Sequence, residues 1–359
     1  MEFNWYRKEL KDKYNILQKL KRTVIDKEEL EKICDTMKVI EICLSKERVP
    51  GEIEILLEED YLELTKTKFI WPYIKNIANI KNNYIPSFSS DETILSKKDI
   101  LDLLHEFFRN GTTKEFYELF CKIYRENKKN IHFLDCPEVS FTGETIYLEY
   151  FKKTYIQVFK RYSFEDLNTF AHEFGHAIEF NMNFQNSLFR DLNVYVEIIS
   201  IFFELICNEY FVKGEFTRPA IITGYSTLDE HLENAKNLNN EFVLLNAIGI
   251  TKYENRLQLR SNIDALVEEL NQDDISNIMF LRPGRDYIYV FAFLVATNLF
   301  MIYKMDRDKA FYLVNKIINL NGELSCEEYF HELEKLELLD ANKTQDYTNF
   351  IHNRSRKLK

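Results

Sequence analysis

Apolar residues recur at three- and four-residue intervals through most of this chain, which predicts helices rather than sheets. Over residues 24–46 the pattern is carried by Val24, Ile25, Leu30, Ile33, Met37, Ile40 and Cys43, and Val49, Pro50 and Gly51 stop it. Residues 83–95 hold Pro86 with serines and acids and read as a loop. Ser96 and Asp99 have the spacing of a capping box that opens a helix, and Asn110-Gly111 closes it. The polar run 126–130 is the expected boundary between an N-terminal helical lobe, 1–130, and a second lobe, 131–359. Beyond it the pattern changes. Gly143 to Phe151 and Tyr155 to Arg161 are rich in Thr, Ile, Tyr, Phe and Val, which predicts a β-hairpin turning at Lys152 and Lys153. Ser163 and Asp166 form a second expected capping box. Helical patterns then run through 192–213, 229–247, 255–270, 286–304 and 307–320, the last closed by Asn321-Gly322, and 326–338 reads as one more helix.

Composition narrows the class without changing the fold. Nine glycines and six prolines in 359 residues are few, as a mainly helical chain requires, and 29 Phe with 21 Tyr supply a large core. The net charge of −11, with no basic stripe, argues against nucleic acid as a partner. The basic end from Arg354 to Lys359 reads as a solvated tail. Cys34, Cys43, Cys121, Cys136, Cys207 and Cys326 form no C-x-x-C pair, and reduced thiols in a cytoplasmic protein are expected. The opening residues have no apolar h-region of a signal peptide. The most apolar run, Tyr287 to Tyr303, contains Thr297 and Asn298 and is short for a membrane span, so it reads as a buried core helix. No membrane partner is expected, and the sequence carries no signal for an oligomeric state.

The chemistry lies behind the second capping box. His172-Glu173-Phe174-Gly175-His176 is an H-E-x-x-H pattern in a chain with only seven histidines. On a helix, positions i and i+4 share a face, so both imidazoles can reach one Zn2+ ion. Glu173 is rotated by about 100° and points beside the metal, where it can take a proton from water that zinc has made acidic. His105-Glu106 and His331-Glu332 lack a second histidine and read as ordinary helix residues.

A catalytic zinc site takes three protein ligands and keeps one position open. The helix pattern around 194–207 is apolar nearly all round and should be buried, yet it carries Glu197 and Glu204 seven residues apart on one stripe. Burying an unpaired carboxylate costs several kcal/mol in effective terms, of order 5. A cation is therefore expected against that stripe. Glu197 is assigned as third ligand and Glu204 as an acceptor that orients a ligand histidine. Pairing of both with Lys or Arg across a helix interface is the competing reading. Glu179, three residues after His176 on the same helix, is a rival ligand but cannot easily swing back. The metzincin pattern fails, because Glu179 and Met182 stand where it has glycine and histidine.

These residues resemble those of the zinc oligopeptidases that include oligoendopeptidase F and thimet oligopeptidase. The resemblance is carried by Phe170 to His176 and by Glu197, Ser200 and Glu204, and it is good over about 140–213. It implies a mainly α, two-lobed fold, with a substrate channel between the lobes and a small sheet beside the zinc helix. It also implies peptide as the substrate, bound along the edge strand of the hairpin at 143–161. In that family, tyrosines of a late aromatic segment stabilise the oxyanion; Tyr289 matches best here and Tyr287 second. The chain departs from the family pattern in three places. It has Phe280 to Arg285, with Arg282 and Arg285, where a histidine is usual; its interval between His176 and Glu197 is shorter; and it is much shorter overall. The function expected is zinc-dependent endopeptidase action on peptides. The alternatives are a peptide-sequestering protein that keeps the fold without cutting, and a processing protease dedicated to one precursor.

Overall fold

A computed structural model of the chain describes residues 5–45, 68–81, 94–135, 142–183, 195–247, 283–320 and 324–358. It is mainly helical with one small sheet, as the apolar spacing predicts. The helix expected over 255–270, the loop at 83–95, the stops at 49–51 and 321–322, Cys136 and Arg282 lie wholly or largely outside the described residues, as do the side chains of Arg285, Cys43 and Cys326.

By its internal contacts the chain divides into two units, one of 1–50 with 92–189 and the other of 51–91 with 190–359. This differs from the expected boundary at 126–130, and the reason is local. In the first unit, α1 (Trp5–Leu20) and α2 (Lys27–Ser45) are followed later by α4 (Lys97–Gly111) and α5 (Lys114–Asn127). Asn127 at the end of α5 is 3% exposed. Its side chain donates to the Ile123 carbonyl at 3.0 Å and accepts the Thr154 N–H at 3.0 Å. Asn130 donates to the Thr154 carbonyl. The polar run is a docking point for the sheet, not a linker.

The sheet has three strands, β1 (Ile131–Leu134), β2 (Gly143–Leu148) and β3 (Lys153–Phe159), in the order β1-β3-β2. The expected hairpin is β2–β3, antiparallel with Thr145 opposite Ile156, and β2 is an edge strand. The turn between them closes with Lys152 at φ 49°. Strand β1 was not anticipated and pairs parallel to β3. Strand alternation sorts the two faces of the sheet. Thr154 bonds Asn181 of α6 (Glu165–Met182) at 3.1 Å, whereas Tyr155, one residue on, bonds Glu9 of α1 at 2.6 Å. Helix α6 therefore packs on one face, and α1 reaches the other through Glu9. On its far side α6 is held by stacked rings: Phe108 and Phe120 lie 4.3 Å apart, and Phe174 meets Phe120 at 4.8 Å.

The capping box at Ser96 forms as expected, with each partner's side chain bonded to the other's backbone N–H. The one at Ser163 does not. Helix α6 begins at Glu165, and the Asp166 carboxylate reaches back past Ser163 to the N–H groups of Arg161 at 2.8 Å and Tyr162 at 3.1 Å. Tyr162 is in the left-handed region, φ 57°, so the chain reverses there and aims its N–H at that carboxylate. Burial pushes the Asp166 pKa up, and those backbone donors oppose the rise.

The second unit holds α3 (Trp71–Ala78), α7 (Glu197–Phe211), α8 (Thr217–Ala247), α9 (Pro283–Met305), α10 (Arg307–Ile318), α11 (Cys326–Lys335) and α12 (Ala341–Ser355). Helix α8 starts twelve residues before its expected beginning. Helix α9 packs on α3, α7, α8, α10 and α12. By length and composition alone it could cross a membrane, but its residues from Val290 to Leu299 are buried inside the unit. Thr297 and Asn298, which interrupt its apolar run, lock the start of α12. Thr297 bonds Thr344 at 2.8 Å, and Asn298 exchanges two hydrogen bonds with the Asp340 backbone. Within the basic end, Arg354 is not a solvated side chain: it pairs with Glu209 and lies 3.9 Å over the Phe350 ring.

Asp166→Ala would leave two backbone donors without their carboxylate. It should lower unfolding stability by about 1–3 kcal/mol, with Asp166→Asn costing less; urea denaturation checks this.

Candidate metal centre

Helix α6 is buried almost all round because the sheet covers one side and α4 and α5 the other. Its polar residues are therefore held in a setting with little water. His172 is half-buried and His176 is buried, and their ring centroids lie 4.9 Å apart with the planes at 78°. That is the i, i+4 juxtaposition the motif implies. Phe180, one further turn on, stacks on His176 at 5.7 Å and restricts its rotation.

Glu173 points elsewhere, as its 100° offset requires. It is 4% exposed, and the Thr145 hydroxyl of β2 lies 2.7 Å from its Oε2. Glu197 is the first residue of α7, where the helix macrodipole favours negative charge. Ser200 Oγ lies 3.0 Å from its carbonyl and 3.2 Å from its Oε2. Glu204, two turns along, accepts a hydrogen bond from Thr227 of α8 at 2.9 Å.

His172, His176 and Glu197 each offer one ligand atom, and the three atoms lie within 4.8 Å of one another. Two imidazoles and one carboxylate are a donor set suited to a transition-metal ion. Bonds of about 2.0–2.1 Å in a tetrahedral site bring donors to about 3.3 Å apart, so small side-chain rotations complete the set. Glu179 is buried on α6 and does not belong to this group. Tyr287 is fully buried at the start of α9, whereas Tyr289 is 36% exposed. His105 sits among the rings of Tyr117, Phe120 and Tyr124, and burial lowers its pKa. His331 pairs with Glu334 on its own helix at 2.8 Å. Both behave as the ordinary helix residues expected. Cys34, Cys121 and Cys207 are free thiols.

Sequence reasoning missed Thr145. The signal was a threonine in a strand preceding the motif, and nothing in the strand pattern marked which of its neighbours faces α6.

Neither a protein-family model nor a curated protein sequence matches the chain. Solved structures do. A protein designated oligoendopeptidase F from Bacillus anthracis str. Ames superposes with a TM-score of 0.52 at 14% identity, covering 98% of this chain and 62% of that one. A second structure so designated gives 0.51 at 15% identity, over 99% and 66%. PZ peptidase A, solved with an inhibitor, gives 0.50 at 13% identity, over 98% and 65%. The chain has the oligoendopeptidase F fold. It spans 62–66% of the length of these three chains. The oligoendopeptidase F fold is the helical architecture with a small sheet that the motif-based resemblance implied.

A divalent transition-metal ion added to metal-free protein should bind one per chain. At about a hundredfold excess over Kd it should stabilise the fold by about 2.7 kcal/mol. Calorimetric titration and thermal melting check this, and His172→Ala or His176→Ala should abolish both signals.

Proposed function

We propose that the chain is a zinc-dependent endopeptidase that hydrolyses peptides in the cytoplasm. The observation that carries the reading is the convergence of His172, His176 and Glu197 donor atoms within 4.8 Å, with Glu173 one residue along the same helix. The likeness to oligoendopeptidase F structures supports it at the level of fold. A zinc ion held by the three side chains supplies Lewis acidity, which makes water a competent nucleophile near pH 7 and polarises a scissile carbonyl.

The remaining work falls to the protein. Glu173 takes the proton from the attacking water and later delivers it to the leaving amine. Its burial strengthens each electrostatic contact it makes. Glu204 helps to orient a ligand histidine. The edge strand β2 offers backbone groups along which an extended peptide can add, setting the direction of the substrate. Tyr289, exposed on α9, donates a hydrogen bond from its phenol O–H to the oxyanion; Tyr287, fully buried, is the second phenol of the segment.

Peptide mixtures incubated with and without a chelator test the reading directly. Broad chelator-sensitive cleavage supports a general peptidase, cleavage of a single precursor supports a dedicated processing enzyme, and stoichiometric binding without cleavage would make the protein a peptide-sequestering one. Glu173→Gln should keep its zinc and lose about 10²–10⁴-fold in rate. Tyr289→Phe should lose about 10²–10³-fold in kcat. A larger loss in Tyr287→Phe would transfer the oxyanion role to that residue.

A further inference from the structure

Strand β2 meets Glu173 through Thr145 and leaves room for it at Gly143, and metal coordination explains neither. Gly143 and Thr145 are two residues apart on one strand, so both face α6. Thr145 Oγ lies 2.7 Å from Glu173 Oε2 and 3.0 Å from the Glu173 carbonyl, and its single proton serves one of them at a time. A Cβ on Gly143 would stand 2.5 Å from Glu173 Oε1 and 2.9 Å from both Cδ and Cγ. Side chains do not approach that closely. Gly143 is not in the left-handed region, so its backbone would accept any residue. A glycine inside a strand weakens it. Volume, not conformation, is what this position requires.

We propose that β2 sets the position of the Glu173 carboxylate: Gly143 leaves the volume it occupies, and Thr145 holds Oε2 so that proton transfer falls to Oε1. Both are positioning residues, and their value to catalysis rests on the reading of Glu173 as the base. The arrangement fixes the base from the sheet while its two neighbouring histidines are fixed by the helix. A strand along which a peptide can add would then also aim the group that acts on the attacking water.

The test uses Gly143→Ala, Thr145→Val and Thr145→Ser, each alone and combined with Glu173→Ala. Thermal unfolding of the metal-free proteins needs no activity. Gly143→Ala should lower the melting temperature in the wild-type background and do so much less beside Glu173→Ala, where the added methyl meets no carboxylate. Thr145→Val should show the same suppression. Equal losses in both backgrounds would overturn the proposal. In zinc-loaded protein, Gly143→Ala and Thr145→Val should lower kcat about ten- to hundredfold with KM and zinc content kept. Thr145→Ser, which retains the hydroxyl, should keep most of the rate. Wild-type kcat in both Gly143→Ala and Thr145→Val would also overturn it. A wild-type protein that cleaves no peptide, or a Glu173→Gln variant that cleaves at the wild-type rate, defeats the peptidase reading instead. The melting cycle still decides whether β2 holds this carboxylate.

Discussion

The rest of the first unit is organised around one difficulty: a helix buried on nearly every side that nevertheless carries Asp166, Asn168, Glu173, His176 and Glu179. A desolvated carboxylate without partners costs several kcal/mol, of order 5, and a domain's whole stability is about 5–15 kcal/mol. Each acidic group must therefore be met by a donor from a fixed place. Asp166 is met by two backbone N–H groups of the turn before the helix. Glu173 is met by a hydroxyl from the edge strand. The sheet is small, but it supplies polar contacts that the surrounding phenylalanines cannot. The aromatic side of α6, with Phe170 and Phe174 fully buried, provides the packing that offsets these constraints, at about 1.5–3 kcal/mol for each buried ring.

What the sequence made legible follows from range. The H-E-x-x-H pair, the hairpin and the Ser96 box depend on residues within a few positions of each other, and each appears where the spacing put it. The failures involve partners far away in the chain. Asn127 looked like part of a linker because one of its two side-chain hydrogen bonds is to Thr154, 27 residues on, while the other is to Ile123. Strand β1 is four residues long and includes His132, and its pairing is parallel, so no turn announces it. At Ser163 the box failed for a different reason. The left-handed Tyr162 turned two earlier N–H groups toward Asp166, so its carboxylate is shared among several backbone donors of the turn and not reserved for a box with Ser163.

Charge misled in the same way. The cluster at the end of the chain reads as a solvated run, yet Arg354 lies on α12 and pairs with Glu209, 145 residues earlier, which also takes Lys304. Glu209 has little exposed side-chain surface, so two cations meet one largely buried carboxylate. A local count of basic residues cannot see such a partner. Thr297 and Asn298 make the complementary case: as sequence they only shorten an apolar run, and in the fold they are buried and bonded to α12.

The two carboxylates of α7 show how one stripe can serve two ends. The same spacing argument applied to both, since seven residues bring Glu204 nearly under Glu197. Their surroundings within the second unit differ. Glu204 sits in the body of the helix and accepts the Thr227 hydroxyl, so a neutral donor moderates its charge. Glu197 is at the first turn, where unpaired backbone N–H groups and the macrodipole favour an ionised carboxylate by about 0.3–1 kcal/mol. Ser200 lies against it from the next turn. The first turn of a helix therefore favours the ionised form of Glu197. Position along the helix, more than sharing a face, thus separates the surroundings of the two carboxylates.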